Sequence, residues 1–222
     1  ISHDLRTPLT SISGNADNLL TNDEAFDVET RRQIYTDIRE DAEWLISLVE
    51  NLLSVSRMGD GKSDIRMSAE LVSDVIDEAV RRTEKNASEH KLTVKESDGI
   101  LLARMDARLI VQVLINLIDN AIKYTPRGSE IEILAVEKDN EIAITVADNG
   151  HGIADEIKPR VFDMFYTGAE KIADSRRSLG LGLALCKSIV NAHGGEITVS
   201  DNKPHGAVFT FTLPKEEVEI SE

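Results

Sequence analysis

The sequence is poor in cysteine and in aromatic residues: its 222 residues include one Cys, and Phe, Trp and Tyr together make up 4%. A single cysteine, Cys186, excludes an internal disulfide framework and a cysteine-rich metal site, so we expect a reducing compartment. No apolar run approaches the roughly 20 residues of a membrane helix, and no signal peptide is recognisable. Because aromatic residues are so few, the core must be mainly aliphatic, and a hydrophobic content of 41% is sufficient to form one.

Positive charge is also scarce, with 25 Lys and Arg against 40 Asp and Glu and a net charge of −15. This balance argues against non-specific binding to nucleic acid or to an anionic membrane surface. The length allows one large domain or two modest ones. Because the chain begins inside an amphipathic helix without a Met, we expect it to be a fragment of a longer protein.

Heptad spacing predicts that the chain opens with a helical hairpin. Its first helix covers residues 1 to about 22, and Asp27 with Thr30 offers capping chemistry for a second helix that ends near Met58. Two helices bury little alone, so we expect a homodimer with a four-helix core. The first seam consists of Leu5, Leu9, Ile12, Ala16 and Leu19.

His3 lies about 160° from the centre of that seam, on the opposite face of the helix. Asp4 follows it, Thr7 shares its face one turn later, and Pro8 cannot donate a backbone hydrogen bond. A histidine with one ring nitrogen held protonated by a carboxylate can act as a nucleophile. The alternatives are a buried core histidine and a helix that simply starts at Pro8, and these residues alone leave both interpretations open.

A glycine-rich turn at 59–63 predicts the boundary between a domain of residues 1–60 and one of residues 61–222. Period-two alternation and apolar helical runs predict an α/β sandwich, with helices on one face of a mostly antiparallel or mixed sheet, and hence an α+β chain overall. The predicted strands are 64–68, 92–95, 131–136, 141–147, 196–200 and 208–213, and the predicted helices are 69–85, 107–123 and 181–192.

Three polar residues interrupt the apolar helix 107–123 on one face: Asn116, Asn120 and Lys123, at i, i+4 and i+7. Two amides and an ammonium suit a hydrated Mg²⁺ and a phosphate chain, because amide oxygens are hard ligands. Helix capping near 125–126 is the alternative, but it explains only one polar residue at the helix end.

Two glycine segments follow. Asp148 ends a strand and precedes Gly150 and Gly152, an arrangement that suits the edge of a base but also occurs in ordinary turns. Gly180 and Gly182 open the last helix, where backbone amides favour phosphate. The second segment is neither a dinucleotide fingerprint nor a Walker loop.

The loop before Gly180 concentrates positive charge at Lys171, Arg176 and Arg177, which suits a lid that closes over phosphates. Phe162 and Phe165 precede this loop. Core packing is the default interpretation of the two rings, and anchoring the base of the lid is the more specific one.

Together these motifs resemble the kinase core of bacterial sensor histidine kinases over nearly the whole chain. The motifs occur in the family's order: the phospho-acceptor box at 3–8, the asparagine box at 116–124, the first glycine box at 148–153, the phenylalanine box at 162–165 and the second glycine box at 180–182. The segments 4–9 and 162–166 further resemble the potassium-responsive KdpD branch of this family.

The resemblance implies a nucleotide-binding fold shared with gyrase and MutL-type ATPases, ATP and Mg²⁺ as cofactors, and the receiver domain of a response regulator as partner. His3 would accept the γ-phosphoryl group, Asp4 would act as base or orient its ring, and Thr7 would position water in a phosphatase reaction. The residues implied in nucleotide binding are Asn116, Asn120, Lys123, Tyr124, Asp148, Gly150, Gly152, Ile153, Phe165, Gly180, Leu181, Gly182 and Leu183, with Asn120 and Asn116 as the metal ligands and Asp148 accepting from the adenine amino group.

The resemblance also implies a cytoplasmic fragment of an inner-membrane sensor protein, with no nucleic-acid partner and no membrane contact of its own. The chain departs from the family in two places. Thr167 and Gly168 stand where a basic residue is common, so the residue that reaches the phosphates is undetermined, and Gly206–Ala207 replaces a Gly-Thr pair without expected consequence.

Two other functions fit parts of the sequence. A dimeric nucleotide-binding signalling module without phosphoryl transfer would carry a degraded acceptor or asparagine box, whereas both boxes are intact here. An ATPase of the gyrase and MutL type would carry a glutamate, which activates water, where Asn116 stands.

Overall fold

The computed structural model describes residues 2–59, 65–96, 99–166 and 180–216, with the side chains at 2–4, 23, 47, 50–59 and 96 left out of the description. The described chain forms a helical hairpin followed by an α/β sandwich, which confirms the predicted α+β class. The predicted domain boundary falls on residues 60–64, outside the described ranges.

The hairpin consists of α1, Ser2–Asn22, a 3₁₀ turn, Asp23–Ala25, and α2, Val28–Gly59. Asp27 caps α2 as predicted, because its Oδ1 accepts a 2.7 Å hydrogen bond from the Thr30 backbone N–H. The hydrogen bonds from Thr30 lower the pKa of the Asp27 carboxyl. Because α1 starts at Ser2 and continues through Pro8, the alternative in which Pro8 begins the helix is wrong.

One hairpin does not bury the predicted seam. Leu5, Ile12, Ala16 and Leu19 are only half-buried, and Leu9 is 54% exposed. Further apolar side chains exposed on the hairpin are Leu20, Val28, Tyr35, Ile46 and Val49. A run of apolar side chains at the surface is typical of an interface rather than of an isolated monomer.

The second domain contains a five-stranded mixed sheet in the order β2-β4-β5-β7-β6 and a separate β1-β3 ribbon. Among the strands of the described residues, only the β2–β4 pair is parallel. The strands are β1, Ser68–Leu71; β2, Lys91–Glu96; β3, Leu102–Met105; β4, Glu130–Lys138; β5, Glu141–Asp148; β6, Ile197–Asp201; and β7, Ala207–Pro214.

In the described part of this domain the other layer consists of three helices: α3, Val72–Thr83; α4, Ala107–Tyr124; and α5, Gly182–Ala192. Helix α3 packs on α4 and α4 on α5, while α4 contacts β4 and β5, and α5 contacts β6 and β7. The fully buried core between the layers includes Leu117, Ile133, Ile144, Leu185 and Phe211. A single helical layer on one face of the sheet is the predicted arrangement.

Two elements near the start of this domain differ from the prediction. A strand at 64–68 and a helix from 69 were expected, but the strand covers Ser68–Leu71 and α3 begins at Val72. The cause is β3, which was not predicted: it pairs with β1 along its whole length, and the Val72 N–H donates to the Leu101 carbonyl. This non-local pairing holds residues 69–71 in an extended β conformation, although their sequence favours a helix.

The N-terminus of α4 is tied to the C-terminus of α5 through buried His193. Its Nε2 accepts from the Asp106 N–H at 3.0 Å, and its Nδ1 donates to the Ile189 carbonyl at 2.7 Å. The ring must be neutral to accept through Nε2, and burial lowers the pKa of His193. Asp106 in turn caps α4 by accepting from the Arg108 N–H at 3.2 Å.

This tie predicts an acid-sensitive contribution to stability. Because folding favours neutral His193, the stabilisation is complete above the unfolded pKa of about 6.5 and is lost as the pH falls below that value. We expect His193→Gln to cost about 1–3 kcal/mol near neutral pH. In denaturant titrations at about pH 7.5 and 5.5, the variant should lose less stability on acidification than the wild type. The exposed-histidine control His151→Gln should keep the wild-type loss, and an unchanged loss in His193→Gln would contradict this assignment.

Candidate functional site

The predicted polar face of α4 lies at the boundary between core and solvent. Asn116, Asn120 and Lys123 are half-buried, and the Lys123 Nζ lies 5.5 Å from the centroid of the Tyr124 ring. The adjoining face of α4 is core, with Ile110, Leu114, Leu117 and Ile118 fully buried. Burial of that face fixes the helix rotation, so the polar residues line the open edge of the helical layer.

Helix α5 brings the second glycine segment against Asn116. A Cβ placed on Gly182 would lie 3.6 Å from the Asn116 Oδ1, so the amide oxygen faces the start of α5. The Nδ2 of the same amide is buried without a hydrogen-bond partner. Leu181 occupies the N-cap position of α5 and gives it no side-chain hydrogen bond, so the dipole and the first amides of the helix are left for an anion.

Cys186 lies one turn further along α5. Its Sγ donates a weak hydrogen bond to the Val113 carbonyl at 3.8 Å. Burial raises the pKa of this thiol to about 12, although the Asn116 side chain acts in the opposite direction. The cysteine is therefore a neutral, buried thiol packed against α4 at Val113. Its apolar sequence context did not indicate this position.

Asp148 ends β5 and is buried at 8% exposure. Its Oδ1 accepts from the Gly150 N–H at 2.8 Å and from the Ala207 N–H at 3.2 Å. Within the described residues both bonds use Oδ1, which leaves Oδ2 for a ligand donor. Ala207 contributes its backbone N–H to this carboxylate.

The turn between β6 and β7 holds the first glycine segment in place. Asn202 donates to the Asp148 carbonyl at 2.7 Å, and His205 Nδ1 donates to the Gly150 carbonyl at 3.0 Å. Gly206 has a φ of +121°, and a Cβ there would overlap the Asp148 carbonyl oxygen. Asn202 and His205 were not predicted as site residues, because they lie more than 50 residues from their partners in the sequence.

The first glycine segment also reaches the C-terminal end of α4. A Cβ on Gly150 would lie 2.7 Å from the Thr125 Cγ2, a distance that real Cβ atoms avoid. Thr125 is itself fixed, because its hydroxyl donates to the Ala121 carbonyl at 2.7 Å. Helix α4 is therefore flanked by Gly182 at Asn116 and by Gly150 at its C-terminus.

The two phenylalanines before the loop play different parts. Phe162 packs edge-on against Phe209, with 6.3 Å between ring centroids, so the core interpretation fits it. Phe165 is 40% exposed, has a φ of +65°, and donates from its backbone N–H to the Gly180 carbonyl at 3.1 Å. This bond joins the two ends of the segment that contains Lys171, Arg176 and Arg177, which lie outside the described ranges.

Three of the predicted site residues are mainly core residues. Leu181 is 3% exposed, and Leu183 and Ile153 pack against the hydrophobic core. Because they are sequence neighbours of the glycines, their packing attaches the two glycine segments to the core. Gly152, with a φ of +77°, has the left-handed backbone expected of a glycine that allows close approach.

The predicted acceptor segment lies in the first turns of α1. His3 and Asp4 are within the helix, but their side chains are outside the described part, whereas Thr7 is exposed and Pro8 is buried. In the described part of the chain no group of three or more His, Cys, Asp or Glu could hold a metal ion. No helix among the described residues is long and apolar enough to span a membrane.

Comparison with known families gives two matches. The His Kinase A (phospho-acceptor) domain matches residues 1–61, and the histidine kinase-, DNA gyrase B-, and HSP90-like ATPase domain matches residues 105–217.

Similar curated proteins include the sensor protein KdpD of Clostridium acetobutylicum, 47% identical over 216 residues, and KdpD of Escherichia coli, 34% identical over 216 residues. Each alignment covers 97% of this chain and 24% of the relative, so the chain spans about a quarter of their length. The sensor-like histidine kinase SenX3 of Mycobacterium tuberculosis is 33% identical over 215 residues, 96% of this chain and 52% of that protein.

Similar solved structures include the histidine kinase AdeS of Acinetobacter baumannii, with a TM-score of 0.77 and 25% identity over 97% of this chain and 98% of that one. The histidine kinase ThkA in complex with the response regulator protein TrrA gives a TM-score of 0.76 at 25% identity, over 97% of this chain and 60% of that one. The two domain matches in this order, together with a fold similar to those of solved histidine kinases, show that this chain belongs to the sensor histidine kinase family.

Proposed function

We propose that this chain is the ATP-dependent catalytic core of a protein-histidine kinase, which phosphorylates His3 and passes the phosphoryl group to an aspartate of a response regulator. The observation that carries the proposal is the approach of both glycine segments to α4, Gly182 at Asn116 and Gly150 at Thr125. This arrangement supplies a base site, a phosphate site and amide oxygens along one helix.

The base site is formed at Asp148. Oδ1 is held by two backbone N–H groups, so Oδ2 is fixed to accept from the adenine amino group. Gly150 and Gly152 would allow the backbone to approach the ring, and Tyr124, which is 37% exposed, would lie beside the nucleoside.

The phosphate site lies between α4 and α5. The first amides of α5 and Lys123 bind phosphate oxygens, while the amide oxygens of Asn120 and Asn116 are suitable ligands for hydrated Mg²⁺. The fit is supported by the Asn116 Oδ1, which faces Gly182 at the phosphate end of α5. When bound, Mg²⁺ neutralises charge on the β- and γ-phosphates during transfer.

The acceptor is His3. An unprotonated ring nitrogen attacks the γ-phosphorus while the bond from phosphorus to the ADP oxygen breaks, and Asp4 holds the proton on the other nitrogen. In a second, phosphatase reaction, exposed Thr7 positions the water that removes the phosphoryl group from the response regulator.

The partners follow from the surface of the hairpin. We assign the exposed apolar seam that contains Leu9 to a second copy of the chain. The receiver domain of a response regulator as second partner is supported by the complex of ThkA with TrrA.

We further assign residues 1–60 to the dimerisation and acceptor unit and residues 61–222 to the ATP-binding unit. The chain would form the cytoplasmic part of a longer inner-membrane sensor, which is supported by its span of about a quarter of its KdpD relatives.

Incubation with γ-labelled ATP and Mg²⁺ should label the wild type on histidine, with the acid-labile and base-stable behaviour of phosphohistidine. His3→Gln should lose the label completely, because glutamine has no nucleophilic nitrogen. The variant should bind nucleotide like the wild type, which separates loss of the acceptor from loss of the fold. Label that persists on His3→Gln would contradict the assignment.

Asp148→Asn should weaken ATP binding about 10- to 100-fold, or roughly 1–3 kcal/mol. The amide keeps one oxygen for the Gly150 and Ala207 N–H groups but replaces the second acceptor with a donor that opposes the adenine amino group. Calorimetric titration measures the affinity, and a thermal melt of the variant controls for folding. Unchanged ATP affinity would exclude Asp148 from the base site.

Sedimentation should give a dimer for the wild type and a mass near the 24.5 kDa of one chain for Leu9→Glu. Burying a glutamate in an apolar seam is unfavourable by several kcal/mol. Thr10→Glu is the matched control, because it adds the same charge at a neighbouring exposed position off the seam. Equal masses for the two variants would refute the assignment of this seam to the dimer.

A further inference from the structure

Two stretches of the chain meet at the proposed base site. The first, which we call the base loop, covers residues 148–158 and leaves the sheet after its first residue. The second, which we call the β6–β7 turn, covers residues 201–207. Asp201 and Ala207 at its two ends form the last pair of the β6–β7 ladder. The turn is therefore fixed by the sheet, whereas the base loop depends on the contacts that it makes.

The β6–β7 turn holds the first part of the base loop through three hydrogen bonds. Asn202 donates to the Asp148 carbonyl at 2.7 Å, and the Ala207 N–H donates to the Asp148 Oδ1 at 3.2 Å. His205 donates from Nδ1 to the Gly150 carbonyl at 3.0 Å. These three bonds hold the start of the loop and reach as far as Gly150.

Lys158 anchors the far end of the base loop. Its Nζ donates to the Asp201 Oδ2 at 2.6 Å and to the Asp155 Oδ1 at 2.6 Å. An isolated ion pair at the surface contributes little to stability. Here, however, the lysine side chain is only 15% exposed and two carboxylates share its ammonium, so the three residues form a small network. Of the two bonds, the one to Asp201 crosses from the loop to the turn.

This anchor acts on the same turn that holds the carboxylate of the base site, because Asp201 directly precedes Asn202. The base loop is thus attached to the β6–β7 turn at both ends, and a loop with two fixed ends has few conformations. Loss of the far anchor would release the second half of the loop. The Gly150 N–H, which donates to the Asp148 Oδ1, would then be held less firmly.

We propose that Lys158 is a positioning residue for the base site: its ion pair with Asp201 holds the base loop on the β6–β7 turn and so keeps the Asp148 carboxylate aligned with the adenine amino group. This inference rests on the proposed function, which makes Asp148 the acceptor from that amino group. The role requires no contact between Lys158 and the nucleotide. Binding of the sugar and phosphates should therefore not depend on Lys158.

The test compares two ligands, ADP and purine riboside 5′-diphosphate, which lacks only the 6-amino group of adenine. Neither ligand can phosphorylate the chain, so calorimetric titration gives equilibrium affinities. The ratio of the two affinities measures the contribution of the amino group, whereas a general loss of folding lowers both affinities alike. A thermal melt of each variant reports on folding.

Four variants separate the anchor from other effects of charge. Lys158→Met removes the anchor, and Asp201→Asn weakens the same bond from the side of β6. Asp155→Asn is the matched control, because it makes the same substitution at a carboxylate on the same ammonium but leaves the bond to Asp201 in place. Lys158→Arg keeps the positive charge and can bind both carboxylates.

We expect the wild type to prefer ADP about 10-fold. Lys158→Met and Asp201→Asn should reduce this preference about fivefold through weaker binding of ADP, while Asp155→Asn and Lys158→Arg stay within about twofold of the wild type. An unchanged preference in Lys158→Met, or equal effects of the two aspartate variants, would overturn the proposal.

Failure of the proposed function gives a different result. If the wild type binds the two diphosphates equally, Asp148 does not accept from the amino group and the proposed base site fails. Hydrogen exchange of the Gly150 and Ala207 amides, both donors to the Asp148 Oδ1, still tests the anchor in the nucleotide-free protein. Faster exchange in Lys158→Met than in Asp155→Asn supports the anchor, and equal exchange in the two variants overturns it by itself.

Discussion

The antiparallel packing of α4 against α5 is the constraint on which the site depends. Leu117 and Leu185 are fully buried in the helical layer, and burying each such side chain contributes about 1.5–3 kcal/mol. The His193–Asp106 bond fixes the register at one end of the pair, and Gly182 meets Asn116 towards the other. A slip of one turn, about 5.4 Å, would separate the amide face from the phosphate end of α5.

The second constraint is steric and comes from backbone packing. Gly206 and the Asp148 carbonyl approach so closely that no side chain fits between them, and the Gly150 and Ala207 N–H groups hold the Asp148 carboxylate beside this contact. The proposed base site therefore belongs to the sheet and the proposed phosphate site to the helical layer, with α4 shared by both. Such a site would bind ATP only when both layers are folded.

Elements with local signals could be predicted from the sequence, whereas those created by distant contacts could not. Helix α4 and the β4–β5 hairpin follow directly from period and turn chemistry. Strand β3 could not be recognised, because its four residues become a strand only by pairing with β1. In the site, the motif residues were found by type and spacing, but Asn202 and His205 act across the fold, and the left-handed φ of Phe165 has no signature in its residue type.

We propose that one nucleotide bridges the two glycine segments along α4. A crystal structure with a non-hydrolysable ATP analogue and Mg²⁺ is the decisive measurement. We expect the adenine amino group within hydrogen-bond distance of the Asp148 Oδ2, the phosphates at the first amides of α5, and the cation at the amide oxygens of Asn116 and Asn120. A nucleotide bound elsewhere, or a cation held without either asparagine, would contradict it.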